Sequence, residues 1–487
     1  MSSLKAAILL YALAWLLYPQ AIADPAPGEV FKEYRYGNKF SECDPGATNG
    51  FCPDKPKMVG YKLYIDDLAD AVRAEVAVEF WGGHIGTSDQ KFKVNNNAWI
   101  LIPQPSGTPS TPNCYFRTVF GRRAATVPLS NLTTGDNVFQ FTCGPQLCNS
   151  FNWGYYIIYS FTVRVYYDPA KKAHITGQIT SPASGGIIGD LPIVTAGVSD
   201  PAQTVKVEFI GLYDDFDWDG NGVFREWQYQ MNKTAMERTI GTAREAPYQA
   251  TWDNVWVPDQ TAPVKLAALV YKRRNYVYMT PAVSVTLKRT GRSVKMYRSS
   301  GIPKNFAVRT GATKSCNISV TDNVSSATAA KFTIHSWSAT PEDGKSNYIK
   351  LNSYTVSTGY GILHDWSIDT WDLPLSQVKY GTNTFSIYSA TSGHAMEVNW
   401  PGPVLKVQWG QTVGMEEKVP ARKTVRWLGL PNPLTRAGLV QLLEEQPGLL
   451  VRDLLGRKTD FNLTAKNGLY IIRDTPNGCQ TRVMVIE

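Results

Sequence analysis

The chain is 487 residues long, 43% hydrophobic, 12% aromatic and 18% charged, and its 49 Lys plus Arg outnumber its 41 Asp plus Glu for a net charge of +8. That composition excludes a disordered or collagen-like chain, and the low charge content excludes a coiled coil. At roughly 100 to 200 residues per domain, the length predicts three or four units, each able to bury its own core.

Residues 1–23 read as a cleavable signal peptide. Lys5 precedes an apolar run over 6–18, and Ala21-Ile22-Ala23 places small residues where signal peptidase requires them. No later stretch reaches the roughly 18 uninterrupted apolar residues of a membrane span. The expectation is an exported protein without a transmembrane span, secreted or attached to the outer-membrane surface. Export permits disulfides, and five of the seven cysteines fall between 43 and 148. Cys43–Cys52, closed through Asp-Pro-Gly and Asn-Gly turn residues, is the favoured pair. Cys143–Cys148 comes next, with Cys114 as a substitute for either partner.

Along the chain, short runs rich in Val, Ile, Tyr and Phe alternate with Gly, Pro, Asn and Asp clusters, as at 161–167, 205–210, 264–270 and 283–287. This is the signature of an all-β chain of tandem sandwiches. Residues 127–139 and 373–385 repeat one another, with identity at Pro128/Pro374, Leu129/Leu375, Ser130/Ser376, Gly135/Gly381, Asn137/Asn383 and Phe139/Phe385. Upstream, Val94-Asn95-Asn96 corresponds to Leu351-Asn352-Ser353. Pro and Leu bring the chain to an edge, Gly and Asn form a turn needing positive φ, and alternating apolar residues enter a core strand. Two copies of one sandwich, 24–170 and 291–410, therefore enclose a different domain. The repeated segment resembles the galactose-binding-like jelly roll of carbohydrate-binding modules. That resemblance implies a glycan-binding module or a passive spacer.

Residues 171–290 resemble bacterial immunoglobulin-like modules. They contain Asp215, Asp217, Asp219, Asn221, Val223, Glu226 and Gln228 around Gly220 and Gly222. Calcium takes six to eight oxygens, and carboxylates at alternating positions around a Gly turn converge on one ion. Two registers fit a structural calcium loop, one from Asp217 ending at Gln228 and one from Asp215 ending at Glu226. An acidic turn held by its own hydrogen bonds is the alternative.

The second jelly roll holds three of the five histidines, each followed closely by Trp: His335 with Trp337, His364 with Trp366 and Trp371, His394 with Glu397 and Trp400. Flat aromatic faces with carboxylates and imidazoles suit a sugar, so this cluster is the expected carbohydrate surface. Structural rim residues are the plainer reading. A hydrolase or lyase site with His364, His394 and Glu397 as acid and base requires a second carboxylate across a cleft.

Between Gln260 and Thr321 the chain carries twelve Lys or Arg and no Asp or Glu. Solvated strand faces are the plainer reading of this stretch; lying next to the histidine cluster, it points first to an acidic polysaccharide if the ligand is a polymer, and export argues against nucleic acid. A linker at 411–425 leads into 426–487, where Asn432-Pro433, Asp453-x-x-Gly456-Arg457, Gly468-x-Tyr470 and a closing strand resemble the sorting domain of the type IX secretion system. Secretion machinery is the partner this implies. The sequence therefore reads as an exported carbohydrate-binding protein, accessory or adhesive, with a polysaccharide-active enzyme and a structural surface protein as alternatives.

Overall fold

The computed structural model describes residues 25–43, 59–104, 114–148, 153–232, 235–341 and 344–410, together with four strands beyond residue 433. The leader at 1–23, Cys52, the linker at 411–425 and most of the C-terminal motifs lie outside the described residues. The fold is all-β, and the chain divides into two compact units, Met1–Gln411 and Thr412–Glu487. In the second unit, Gly468–Asp474 pairs antiparallel with Leu449–Arg452 and with Gln480–Ile486, and Leu434–Thr435 adds to the latter in parallel.

Both repeats fold alike, and the reason lies in two asparagines. Pro128 and Pro374 each precede a single 3-10 turn, Leu129–Asn131 and Leu375–Gln377, and each turn leads into a strand, Gly135–Thr142 and Gly381–Ser389. Gly135 and Gly381 take φ of 115° and 87°, which their lack of Cβ permits. The other positive-φ residue of each motif is Asn95 or Asn352, at 54° and 56°.

The buried Asn383 side chain accepts from Lys379 N–H at 2.9 Å and donates to the Lys379 and Gly381 carbonyls at 2.8 and 3.2 Å. Asn352 donates to Gln377 O and Asn383 Oδ1 and accepts from Thr384 N–H. Asn137 and Asn95 make the same bonds to Thr133, Gly135, Asn131 and Val138 in the first copy. The pair thus replaces the ladder bonds that the turn lacks. Phe139 and Phe385 follow on the same inward face, each fully buried in its core.

The three sandwiches are not beads on a string. Val30–Cys43 pairs with Tyr156–Tyr167 of the first jelly roll and also with Tyr276–Met279 of the central domain. One eleven-stranded sheet therefore runs through both. Tyr156–Tyr167 is buried at every position, the pattern of a strand covered on both faces. Its Arg164 lies between Glu33 at 2.8 Å and Glu75 at 2.6 Å, and the Tyr166 hydroxyl donates to Glu75 at 2.7 Å. Burial alone would raise the Glu33 pKa, but the Arg35 and Arg164 charges outweigh it and hold the carboxyl down to about 2.

The basic stretch is likewise consumed internally. Arg289 bonds Asp190 at 2.8 Å and Asp259 at 3.0 Å, Arg292 bonds Asp190, Lys295 pairs with Asp322, and Arg298 stacks on Phe224. Arg292 and Arg298 thus join the second jelly roll to the central domain, while Arg289 and Lys295 are paired within their own domains.

The cysteine expectation needs correction. Cys148 is bonded to Cys114, not to Cys143, and Cys43 is a buried free thiol at the end of its strand. Cys43 is packed in the first sandwich's core beside Tyr156.

The asparagine arrangement makes a quantitative demand. Asn383→Ala strands a buried N–H and two carbonyls, so urea unfolding should show a loss of about 3 kcal/mol. A loss below about 1 kcal/mol would mean the pair is not what holds the turn.

Candidate functional site

Along the strand Ala327–Trp337, even positions such as Ala330, Phe332 and Ile334 enter the second core. Period-two geometry puts Lys331, Thr333, His335 and Trp337 on the other face. That outer face is largely covered. Trp81 ends the equivalent strand Ala71–Trp81 of the first copy, and its indole lies flat on Trp337, with ring centroids 4.0 Å apart and planes 8° from parallel.

The bonds cross between copies: Trp81 Nε1–H donates to Glu397 at 3.0 Å, and Trp337 Nε1–H donates to the Tyr159 hydroxyl at 2.9 Å. Nearby, Asn399 donates to Thr118 Oγ1 at 3.0 Å, and Trp400 N–H donates to Phe116 O at 2.7 Å.

Trp81 is 5%, Trp337 3%, Glu397 6% and His335 1% exposed. None of these offers a face to a pyranose, whereas His364, Trp366 and Trp371 are half-buried and His394 is exposed. Trp337, Glu397 and Trp400 form the seam between the two repeats, and His335 faces the central domain's Gly220. Trp371 packs on Phe332 and Tyr360 at the core edge.

His364 and His394 remain at the rim, where His364 Nε2 lies 2.9 Å from His394 Nδ1 and both rings border Trp337. Trp366 stands opposite Trp337 in the sheet register. His364, His394 and Glu397 do gather around Trp337, and Trp81 of the first repeat covers Trp337 and bonds Glu397. Burial raises the Glu397 pKa well above the ordinary carboxylate range, against the pull of the Trp81 N–H. It is a buried acid of the seam, bonded by the Trp81 indole.

The acidic loop resolves into a hybrid of the two expected registers. Oxygens of Asp217, Asp219 and Glu226 lie within 4.8 Å of one another. Asn221 donates to Asp219 and Glu226 at 2.8 and 2.7 Å, while Asp217 accepts from the Asn221 and Gly222 amides. Val223 enters through its N–H, which donates to Asn221 Oδ1.

Two expected ligands point elsewhere. Asp215 is engaged by Lys406, and the Gln228 side chain donates to the Tyr213 and Phe224 carbonyls at 2.9 Å each. The cause is local: Arg225–Trp227 pairs with the strand Thr204–Asp214, which fixes where Gln228 faces. Burial, then Asp219 and Glu226, push the Asp217 pKa well up. The three carboxylates supply hard oxygen donors and the charge to match one divalent cation, so the set fits calcium. At Gly220 a Cβ would lie 1.9 Å from Thr118 O and 3.8 Å from His335, so the loop is seated where all three sandwiches meet.

Where Lys331 and Thr333 leave the seam, a cleft of about 310 Å³ opens between the central domain and the second jelly roll. Trp218, Trp252, Trp256 and Tyr213 line it, with Asp215, Arg238, Asp253, Lys331 and Lys406 among its polar groups. The sequence reading missed this site, although Trp218 lies inside the Asp loop and Trp252-x-x-x-Trp256 was a visible aromatic pair.

No protein-family model matches the chain, and no curated protein matches it. Among solved structures, it is similar to the fibronectin(III)-like modules of CbhA from Clostridium thermocellum, with 12% identity, 45% of this chain and 95% of that one covered, and a TM-score of 0.16. A β-porphyranase of glycoside hydrolase family 86 from Bacteroides plebeius matches at 12% identity and TM-score 0.20, over 50% of this chain and 38% of the enzyme. A β-glucuronidase from Ruminococcus gnavus matches at 9% and 0.22, over 57% and 48%. The chain thus spans less than half of either enzyme, and scores this low carry no argument about ligand or activity.

Burial holds the His335 imidazole down to a pKa of about 3, with Arg238 adding to the effect. Its folded value is depressed below the ordinary 6.5, so the unfolded chain takes up a proton that the folded one refuses. Stability is therefore full above pH 6.5 and declines as pH falls toward 3. Chemical denaturation at several pH values should show a smaller loss between pH 6.5 and 4 for His335→Gln than for wild type. Identical slopes would contradict this placement of His335.

Proposed function

We propose that this chain is an exported, non-catalytic carbohydrate-binding protein, and that the sugar seats in the cleft walled by Trp218 and Trp256 instead of over the histidine cluster. The observation that carries the reading is the chemistry of the cleft wall. Indole faces match the C–H faces of a pyranose, and fixed carboxylates, ammonium groups and threonine hydroxyls match its hydroxyls. The leader at 1–23 and the C-terminal motifs around Asp453, Gly456 and Arg457 support secretion through a type IX route and residence at the outer-membrane surface or beyond. The fused sandwiches favour a second, compatible role as a stiff adhesive element.

Binding should be detectable by titrating the full chain with soluble polysaccharides, without release of reducing or unsaturated ends. Trp218→Ala should weaken it about tenfold, whereas Glu397→Gln should leave affinity unchanged and lower only stability. Turnover that Glu397→Gln abolishes would replace this reading with the enzymatic one.

The same proposal assigns a structural calcium ion to Asp217, Asp219 and Glu226, with Asn221 beside them. A cation held only by the folded state stabilises it by mass action. The melting temperature should rise by a few degrees when calcium replaces chelator, and Asp217→Asn should erase the difference. A melting temperature indifferent to calcium would remove the ion from the account.

A further inference from the structure

The cleft's charges are already engaged, and this constrains what the cleft accepts. Lys406 lies against Asp215, and Lys331 is 3.0 Å from Asp372. The Arg238 guanidinium stacks 3.7 Å from the Trp218 ring centre, and its Nε–H donates to Gln230 Oε1 at 3.0 Å. Each cation in the wall is thus committed to a neighbouring group. A ligand carboxylate or sulfate would meet ammonium groups whose charge a neighbouring carboxylate already balances.

Asp253 is different. It is exposed at the rim, and among the described residues its carboxylate accepts the local Val255 N–H at 3.3 Å. Arg292 acts on it at longer range, but that guanidinium is bonded to Asp190 and Val255 O. Asp253 therefore repels an incoming anion while offering acceptors to hydroxyls. The twelve basic residues of 260–321 do not change this balance, because none of them lines the cleft.

Resting on the glycan-binding reading, we infer that the ligand is an uncharged saccharide, held against the parts of the Trp218 and Trp256 rings that Arg238 and Lys331 leave open and by hydroxyl hydrogen bonds to paired side chains. This reverses the preference for acidic polymers that the basic stretch suggests. Paired ions are good partners for hydroxyls, since each pair presents a donor and an acceptor a few ångströms apart without a net charge to be neutralised.

Calorimetric titration of the full chain tests this with three sets of polymers: galactomannan, xyloglucan and mixed-linkage β-glucan; polygalacturonate, alginate and carrageenan; and chitosan. Binding confined to the neutral set is expected. Its affinity should change by less than about twofold between low and high salt, and Trp256→Ala should reduce it about tenfold. Preferential binding of an acidic polymer or of chitosan, weakened by salt, overturns the uncharged-ligand inference and leaves the glycan reading standing. Absence of binding in all three sets overturns the glycan reading itself.

Discussion

Everything in the first unit depends on strands that are buried on both faces. A strand in a sandwich normally gives one face to the core and the other to water. Here Ala71–Trp81, Tyr156–Tyr167 and Ala327–Trp337 give the second face to a neighbouring domain. That removes water from polar side chains which must then find partners inside the protein. The crossed indole bonds of Trp81 and Trp337, the Arg164 bridge and the Asn399–Thr118 contact are the partners found.

The same face changes character along its length. On Ala327–Trp337 it begins with Lys331 and Thr333 in the cleft, passes His335 beneath Gly220 of the acidic loop, and ends with Trp337 on Trp81. The cleft, the acidic loop and the domain seam are thus neighbours on one strand. Trp218 stands between Asp217 and Asp219 in sequence, so whatever holds those carboxylates also positions a wall of the cleft. The tight packing gives the cleft rigid sides drawn from two domains, which limits the ordering cost of binding.

The sequence made much of the fold legible and little of the site. The repeat was readable because Asn137 and Asn383 are irreplaceable in their turns, and the buried Phe that follows each is set by strand alternation. Alternation is silent, however, on whether an outward residue meets water or another domain. His335, Trp337 and Glu397 therefore looked like a surface when they are a seam.

The run at 156–167 gives no warning of the seam: Ser160, Thr162 and Arg164 alternate with Phe161, Val163 and Val165 as in a half-exposed strand, yet every position is buried. The Asp217–Asp219–Glu226 group was visible in part, but its register depended on where Arg225–Trp227 pairs. The cleft was hidden for a different reason, since Trp218 and Trp256 meet Lys331 and Lys406 only after two domains dock. Likewise, the net charge of +8 concealed cations that are paired in the fold, Arg289 on Asp190 within the central domain and Arg292 on Asp190 across the domain junction.

The central claim is that Trp81 and Trp337 act together to join the repeats. A double-mutant cycle on stability, with Trp81→Ala, Trp337→Ala and the double variant, measures that directly. The stacked geometry predicts a coupling energy of about 1 kcal/mol or more. Strict additivity of the two single losses would contradict the account.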